Sequence, residues 1–187
     1  DKKEKVSKAD AKIAKNSAKF YLSQNMYDKA IEQFETAIQG RPDDAEAHFL
    51  LGKLYSDQIK DDDSRIEEMN RLFNLTLKIK KGEKKYGKSI RQVRDGWWTT
   101  FYNQGVNALN GEDFSVALTM FQQADRVTPD LSTTYKMLGI CYLRMGQNQA
   151  GIDAYVKAVG FDSTDVTART NLGIAYLNSG KAPEAAE

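Results

Sequence analysis

The stretch Tyr135-Lys136-Met137-Leu138-Gly139-Ile140-Cys141-Tyr142 decides the fold, because its frame recurs. A bulky residue, Leu-Gly three positions on and a tyrosine three beyond the glycine appear again as His48-x2-Leu51-Gly52-x2-Tyr55. Arg169-x2-Leu172-Gly173-x2-Tyr176 keeps the last part of the same frame. Small residues in this phase stand at Ala18, Gly52, Gly105, Gly139 and Gly173, separated by 34, 53, 34 and 34 residues. The long gap exceeds the others by 19, so the chain reads as a 34-residue repeat with one insertion. A fixed period near that length means stacked supersecondary units, none of which can bury its apolar face alone.

Further out the phase holds. Ala30-x3-Phe34-x2-Ala37, Ala117-x3-Phe121-x2-Ala124 and Gly151-x3-Tyr155-x2-Ala158 follow at a constant offset, and Pro42 and Pro129 close the first and third units. Steps of three and four place these residues on one helical face. The small residue lets two helices approach, and proline cannot continue a second helix. Turn signals at Asn25-Met26-Tyr27, Gly111-Glu112-Asp113, Gly146-Gln147-Asn148 and Gly180-Lys181-Ala182 separate the two helices of a unit.

These residues resemble the tetratricopeptide-repeat (TPR) pattern W-x2-L-G-x2-Y, A-x3-F and P, over almost everything from Ala11 to Glu187. The resemblance implies an all-α fold, a right-handed superhelical solenoid of antiparallel helix pairs. One array is expected, with units at 11–44, 45–97 including the insertion, 98–131, 132–165 and a truncated 166–187. Residues 182–187 only begin the second helix of the fifth unit, so the natural chain is expected to continue. Self-association through that truncated unit stays open.

The insertion is the distinctive part. Asp61-Asp62-Asp63 lengthens the turn of the second unit, and Ile66, Met69, Leu72, Phe73 and Thr76 then form a helical stripe with Ser64 or Asp63 as its N-cap. Residues 75–80 also alternate like a strand, but helix is preferred because the second unit needs a returning helix. Between 78 and 94 stand eight basic residues, Lys78, Lys80, Lys81, Lys84, Lys85, Lys88, Arg91 and Arg94, against Glu83 alone, a local charge of +7 in a chain of net charge +1. A loop containing Gly82 and Gly87 is expected, mobile over 80–88, followed by a helix from Ser89 through Ile90, Val93, Trp97 and Phe101 that Asp95-Gly96 could interrupt. Such a basic arm suits RNA, an acidic protein or an anionic lipid surface, with a solvated spacer as the plainer reading. Tyr86 is its one aromatic, too few for the stacking platform that argues for nucleic acid.

At the N-terminus Lys5, Lys8, Lys12, Lys15 and Lys19 share one face of a helix whose opposite side carries Val6, Ile13 and Phe20. By resemblance, defined first-helix positions line the inner surface. These are Lys12, Lys15, Lys19 and Leu22 in the first unit, Phe49 and Lys53 in the second, and Tyr102, Val106 and Leu109 in the third. Lys136, Ile140 and Leu143 follow in the fourth unit, and Thr170, Ile174 and Leu177 in the fifth. The groove should run from basic to apolar and hold a peptide or helix of another protein. The carboxylate clamp of chaperone-binding TPR domains is not matched. Lys15 fits its first place, but Lys19 and Leu50 stand where asparagines are required, and Thr99 and Asn103 where the last two basic residues belong.

Catalysis lacks its parts. His48 is the sole histidine and Cys141 the sole cysteine, so no His-based relay, His/Cys metal cluster or intramolecular disulfide can be assembled. There is no P-loop or G-x-G-x-x-G, and Asp61-Asp62-Asp63-Ser64-Arg65 lacks the glycine of a calcium loop. No catalytic residue, metal or cofactor is expected. No apolar run is long enough to span a membrane. The chain starts without methionine and is read as a trimmed piece, soluble in a cytoplasm or, if a leader was removed, a periplasm.

Overall fold

The computed structural model describes residues 6–180. Among them are nine helices and no strand. In chain order these are α1 (Lys8–Ser23), α2 (Tyr27–Gly40), α3 (Ala45–Gln58), α4 (Arg65–Lys78), α5 (Gly82–Asn110), α6 (Phe114–Val127), α7 (Ser132–Arg144), α8 (Asn148–Phe161) and α9 (Val166–Asn178). The all-α solenoid of helix pairs read from the repeat is the fold observed. The chain divides into two compact units, one up to Val93 and one from Arg94, so that the boundary falls inside α5. Lys5, the Lys181-Ala182 part of the last turn and the start of a further helix at 182–187 lie outside the described residues.

A glycine against an aromatic ring recurs in three of the pairs. A Cβ built on Gly52 would lie 2.8 Å from the Phe73 ring, one on Gly105 2.7 Å from Phe121, and one on Gly139 2.9 Å from Tyr155. Those aromatics are buried, as are Ala18 and Phe34, which occupy the same two places in α1 and α2. Each buried ring contributes roughly 1.5–3 kcal/mol of transfer free energy, so the glycine is the condition for the largest single burial in its pair. The turns repeat with the same period: Asn25 (φ 58°), Glu112 (φ 60°), Gly146 (φ 73°) and Gly180 (φ 76°) are left-handed. Helix starts are capped by Ser7, Asp44, Asp113 and Asp165, whose side chains accept from Asp10, Ala47, Val116 and Ala168 N–H.

The insertion is split. Gly52 and Phe73 are five residues further apart than Gly105 and Phe121, and three of those five lengthen the acidic turn before α4, 59–64 against 111–113. Ile66, Met69, Leu72, Phe73 and Thr76 are all buried, so α4 is the returning helix and residues 75–78 are helical. Ser64 stands at the N-cap without capping: its hydroxyl donates to Asp62 Oδ1 at 2.6 Å. The remaining fourteen residues lengthen α5, which runs unbroken through Gly87 and Gly96 for 29 residues.

Two expectations are corrected. The loop anticipated through Gly87 is confined to 79–81, because Tyr86 and Ile90, four residues apart, are buried and the Tyr86 ring stacks on Phe49 at 4.5 Å. Their burial outweighs the roughly 1 kcal/mol that each helical glycine costs. Gly82 starts the helix where a Cβ would fall 1.8 Å from the Thr76 carbonyl oxygen. On α1, the buried face is Ala11, Ala14 and Ala18, whereas Ile13 and Phe20 are 65% and 62% exposed. Close pairing with α2 selects the small residues and leaves the bulky ones outside.

Two outcomes are expected. Gly139→Leu should lower stability by about 1–3 kcal/mol through overpacking against Tyr155, and an unchanged melting temperature would show that the contact does not close the pair. Limited trypsin digestion should cut at Lys78, Lys80 or Lys81 before Lys84, Lys85 or Lys88. First cleavage at the latter three would mean that the N-terminal turns of α5 do not hold.

Candidate functional site

In the unit up to Val93, the inner positions are joined by ion pairs. Lys15 lies 2.6 Å from Asp44 and 3.1 Å from Glu46, and Lys19 lies 2.6 Å from Glu46. Burial disfavours the charge on Lys15, but hydrogen bonds to Asp44 and Glu46 outweigh it and raise its pKa. Burial likewise opposes ionised Asp44, yet the Lys15 ammonium and the Ala47 N–H hold its carboxyl below the usual range. Lys12 and Lys53 are exposed. Phe49 is half-buried between Phe73 and Tyr86, at 6.1 and 4.5 Å between ring centres. With Lys53, Ser89, Gln92 and Val93 it lines a cavity of about 430 Å³. Of the four lysines expected on the inner side, Lys15 and Lys19 are thus paired with acidic residues of the same unit, and Phe49 is covered by the inserted helix.

In the unit from Arg94, Trp98 stacks on Tyr102 at 4.8 Å and donates its indole N–H to Thr134 Oγ1 at 2.9 Å. Tyr102 meets Phe121 edge-on at 5.5 Å. Burial raises the Tyr102 pKa, against the pull of the nearby Lys136 charge. Lys136 in turn donates to Asp165 at 2.5 Å. Val106 and Leu109 pack on the cluster around Phe121 and Leu138, and Ile140 and Leu143 on that around Ile152 and Tyr155. These four are half-buried, serving as core on one side. Ile174 and Leu177 are 49% and 58% exposed.

The acidic partners escaped sequence reading although they carry a signal. Lys15 to Asp44 and Lys136 to Asp165 are both 29 residues apart, each from the fifth position of a first helix to the N-cap of the next. Both tryptophans are half-buried and stacked, Trp97 on Phe101 at 5.6 Å.

The basic arm keeps its charge on a helical frame. Lys80 and Lys81 precede α5, and Lys84, Lys85, Lys88 and Arg91 are exposed along it. Arg91 pairs with Glu83 at 2.9 Å, and the Lys85 ammonium lies 5.0 Å from the Tyr86 ring centre. Arg94 is half-buried, and burial lowers its pKa.

The groups that could do chemistry are tied up. His48 Nε2 donates to the Pro42 carbonyl at 2.9 Å in a buried place. Burial pushes the Cys141 thiol up to about 11. Tyr55 and Tyr135 are pushed up to about 12, by burial first and then by donating to Glu35 at 2.9 Å and Asp125 at 3.0 Å. Among the described residues no group of three or more His, Cys, Asp or Glu could hold a metal ion, and no helix is long and apolar enough to cross a membrane.

A family model described as TPR repeat matches residues 18–58. The chain is 27% identical over 175 residues to the protein O-mannosyl-transferase TMTC3 of Mus musculus, covering 92% of this chain and 18% of that protein. It is 34% identical over 83 residues to the peroxisomal targeting signal receptor of Candida albicans, covering 44% of this chain and 14% of the receptor. A solved structure, MamA 41-end from Desulfovibrio magneticus RS-1, is similar with a TM-score of 0.46 at 18% identity, over 95% of this chain and 89% of that one. The chain spans less than a fifth of the length of the first curated relatives it matches.

Lys15→Met should expose how much the inner ion pairs hold. Asp44, whose folded pKa lies below its ordinary 3.8, contributes stability above that value and loses it as pH falls through the folded pKa. Removing Lys15 leaves the buried Asp44 with its backbone donor and the more distant Arg41 guanidinium at 3.9 Å, so the urea midpoint at pH 7 should fall by the equivalent of about 1–3 kcal/mol. The gap between wild type and variant should narrow as pH falls below the ordinary 3.8 of Asp44, as the wild-type carboxylate protonates. A gap independent of pH would assign the loss to packing of the lysine stem.

Proposed function

We propose that this chain, a tetratricopeptide-repeat protein by its helix pairs and by the match over residues 18–58, is a non-enzymatic scaffold that holds a peptide or helix of another protein on its inner first-helix side chains. What carries the reading is the row in the unit from Arg94: Trp98 stacked on Tyr102, then Lys136 fixed by Asp165, then Ile140. Aromatic and aliphatic side chains held half-exposed by packing, with one oriented cation, are the kind of groups from which interface anchors are built, because little side-chain entropy is left to lose on binding. Val106, Leu109 and Leu143 extend the row, and Lys12, Lys15, Lys19, Phe49 and Lys53 are the corresponding positions of the other unit. A relative named as the receptor of a targeting signal agrees with a chain that grips a segment of another protein.

A second reading keeps the basic arm as a docking surface for an anionic partner, supported by the exposure of Lys84, Lys85 and Lys88 on a helix instead of a loop. The two differ in salt response, since binding led by the arm weakens steeply between 50 and about 200 mM salt whereas apolar anchoring changes little.

A partner captured from the native source and measured by calorimetry tests both. Tyr102→Ala with Ile140→Ala should weaken it by about 2 kcal/mol or more, roughly thirtyfold. An unaltered Kd for that variant, together with a steep salt dependence abolished by Lys84→Glu with Lys88→Glu, would reject the inner row in favour of the arm.

A further inference from the structure

The two compact units can be compared place by place, because Gly52 against Phe73 and Gly139 against Tyr155 fix the same register. In the first, the Tyr55 hydroxyl donates to Glu35 and the Arg65 guanidinium lies over the Tyr55 ring, 5.2 Å from its centre. In the second, Tyr142 stands in the place of Tyr55 and Gln122 in that of Glu35, and Gln122 Nε2 donates to the Tyr142 hydroxyl at 3.4 Å. The place of Arg65 falls at Gln147, so no arginine stands at that place in the second unit. Ala150 and Ala154 stand where the first unit has Glu68 and Leu72. What the first unit fills, the second leaves as a cleft of about 330 Å³ between α6, α7 and α8.

Its walls fit the missing group. Leu138 and Ala154 give an apolar floor, Tyr142 an aromatic wall, and Asp125 and Asp153 two carboxylates. One cation is already present: Lys157, whose ammonium lies 5.1 Å from the centre of the Tyr135 ring. Two carboxylates against one ammonium leave a single negative charge, which one further cation would neutralise. We infer that this cleft is a binding site for an arginine side chain of a partner protein, in the place that Arg65 fills within the first unit. The stem lies along Leu138 and Ala154, the guanidinium stacks on Tyr142 and its fork reaches the carboxylates. Lysine, a compact point charge, fits the ring face and the fork less well. The site shares no residue with the inner row and stands whether or not that row binds.

The test is an NMR titration of the full chain with N-acetyl-arginine amide, beside its uncharged near-isostere N-acetyl-citrulline amide. Saturable shifts of the Tyr142 and Ala154 amides are expected, with citrulline weaker by about tenfold or more. Ala154→Leu, which installs the residue of the first unit, and Asp153→Asn, an exposed position that leaves the core untouched, should each weaken arginine by a similar factor. Equal binding of the two amides, arginine binding unchanged in Asp153→Asn, or no shift at these amides would overturn the assignment.

Discussion

The four helix pairs among the described residues share one close approach: a residue without a bulky side chain on the first helix and an aromatic ring on the second. Ala18 faces the place of Phe34, Gly52 meets Phe73, Gly105 meets Phe121 and Gly139 meets Tyr155. The ring is buried only if the helices come close, and they come close only if the facing residue is small. That mutual requirement sets the period, and it explains how the insertion is accommodated. Its residues are divided so that Gly52 still meets Phe73: five lie between those two, in and beside the turn before α4, and the rest lengthen α5, neither intruding between paired helices.

Polar interactions repeat in the same phase. A lysine at the fifth position of a first helix reaches the aspartate that caps the next first helix, in Lys15 to Asp44 and in Lys136 to Asp165. The aspartate also accepts from a backbone N–H of its own helix, so one carboxylate joins capping to a cross-unit ion pair. Lys15 and Lys136 are therefore oriented groups with fixed charges.

Departures from the repeat carry the individuality of the protein. Tyr86 and Ile90 make the inserted residues into packed helix and leave their lysines outward. Gln147, Ala150 and Ala154 stand where the other unit has Arg65, Glu68 and Leu72, and beside the two alanines lies a cleft. Ile13 and Phe20 are exposed because the pairing of α1 with α2 needs alanines.

The periodic part of the structure was legible in the sequence because it rests on local rules. Leu-Gly-x2-Tyr, Ala-x3-Phe and the turn residues around Asn25, Glu112, Gly146 and Gly180 determine the helices among the described residues, the pairing of α1 to α8 and the returning role of α4, each through spacing along one chain segment. The non-periodic part was not. Whether Gly82 and Gly87 belonged to a loop turned on what Tyr86 would touch, and Phe49 is 37 residues away. Whether Lys15 and Lys136 faced a partner as bare charges turned on carboxylates 29 residues downstream. Which apolar face of α1 was buried turned on how closely α2 could come. Those outcomes were decided by tertiary packing, because the free energy of burying a ring or pairing a charge depends on the other surface, which a local pattern does not contain.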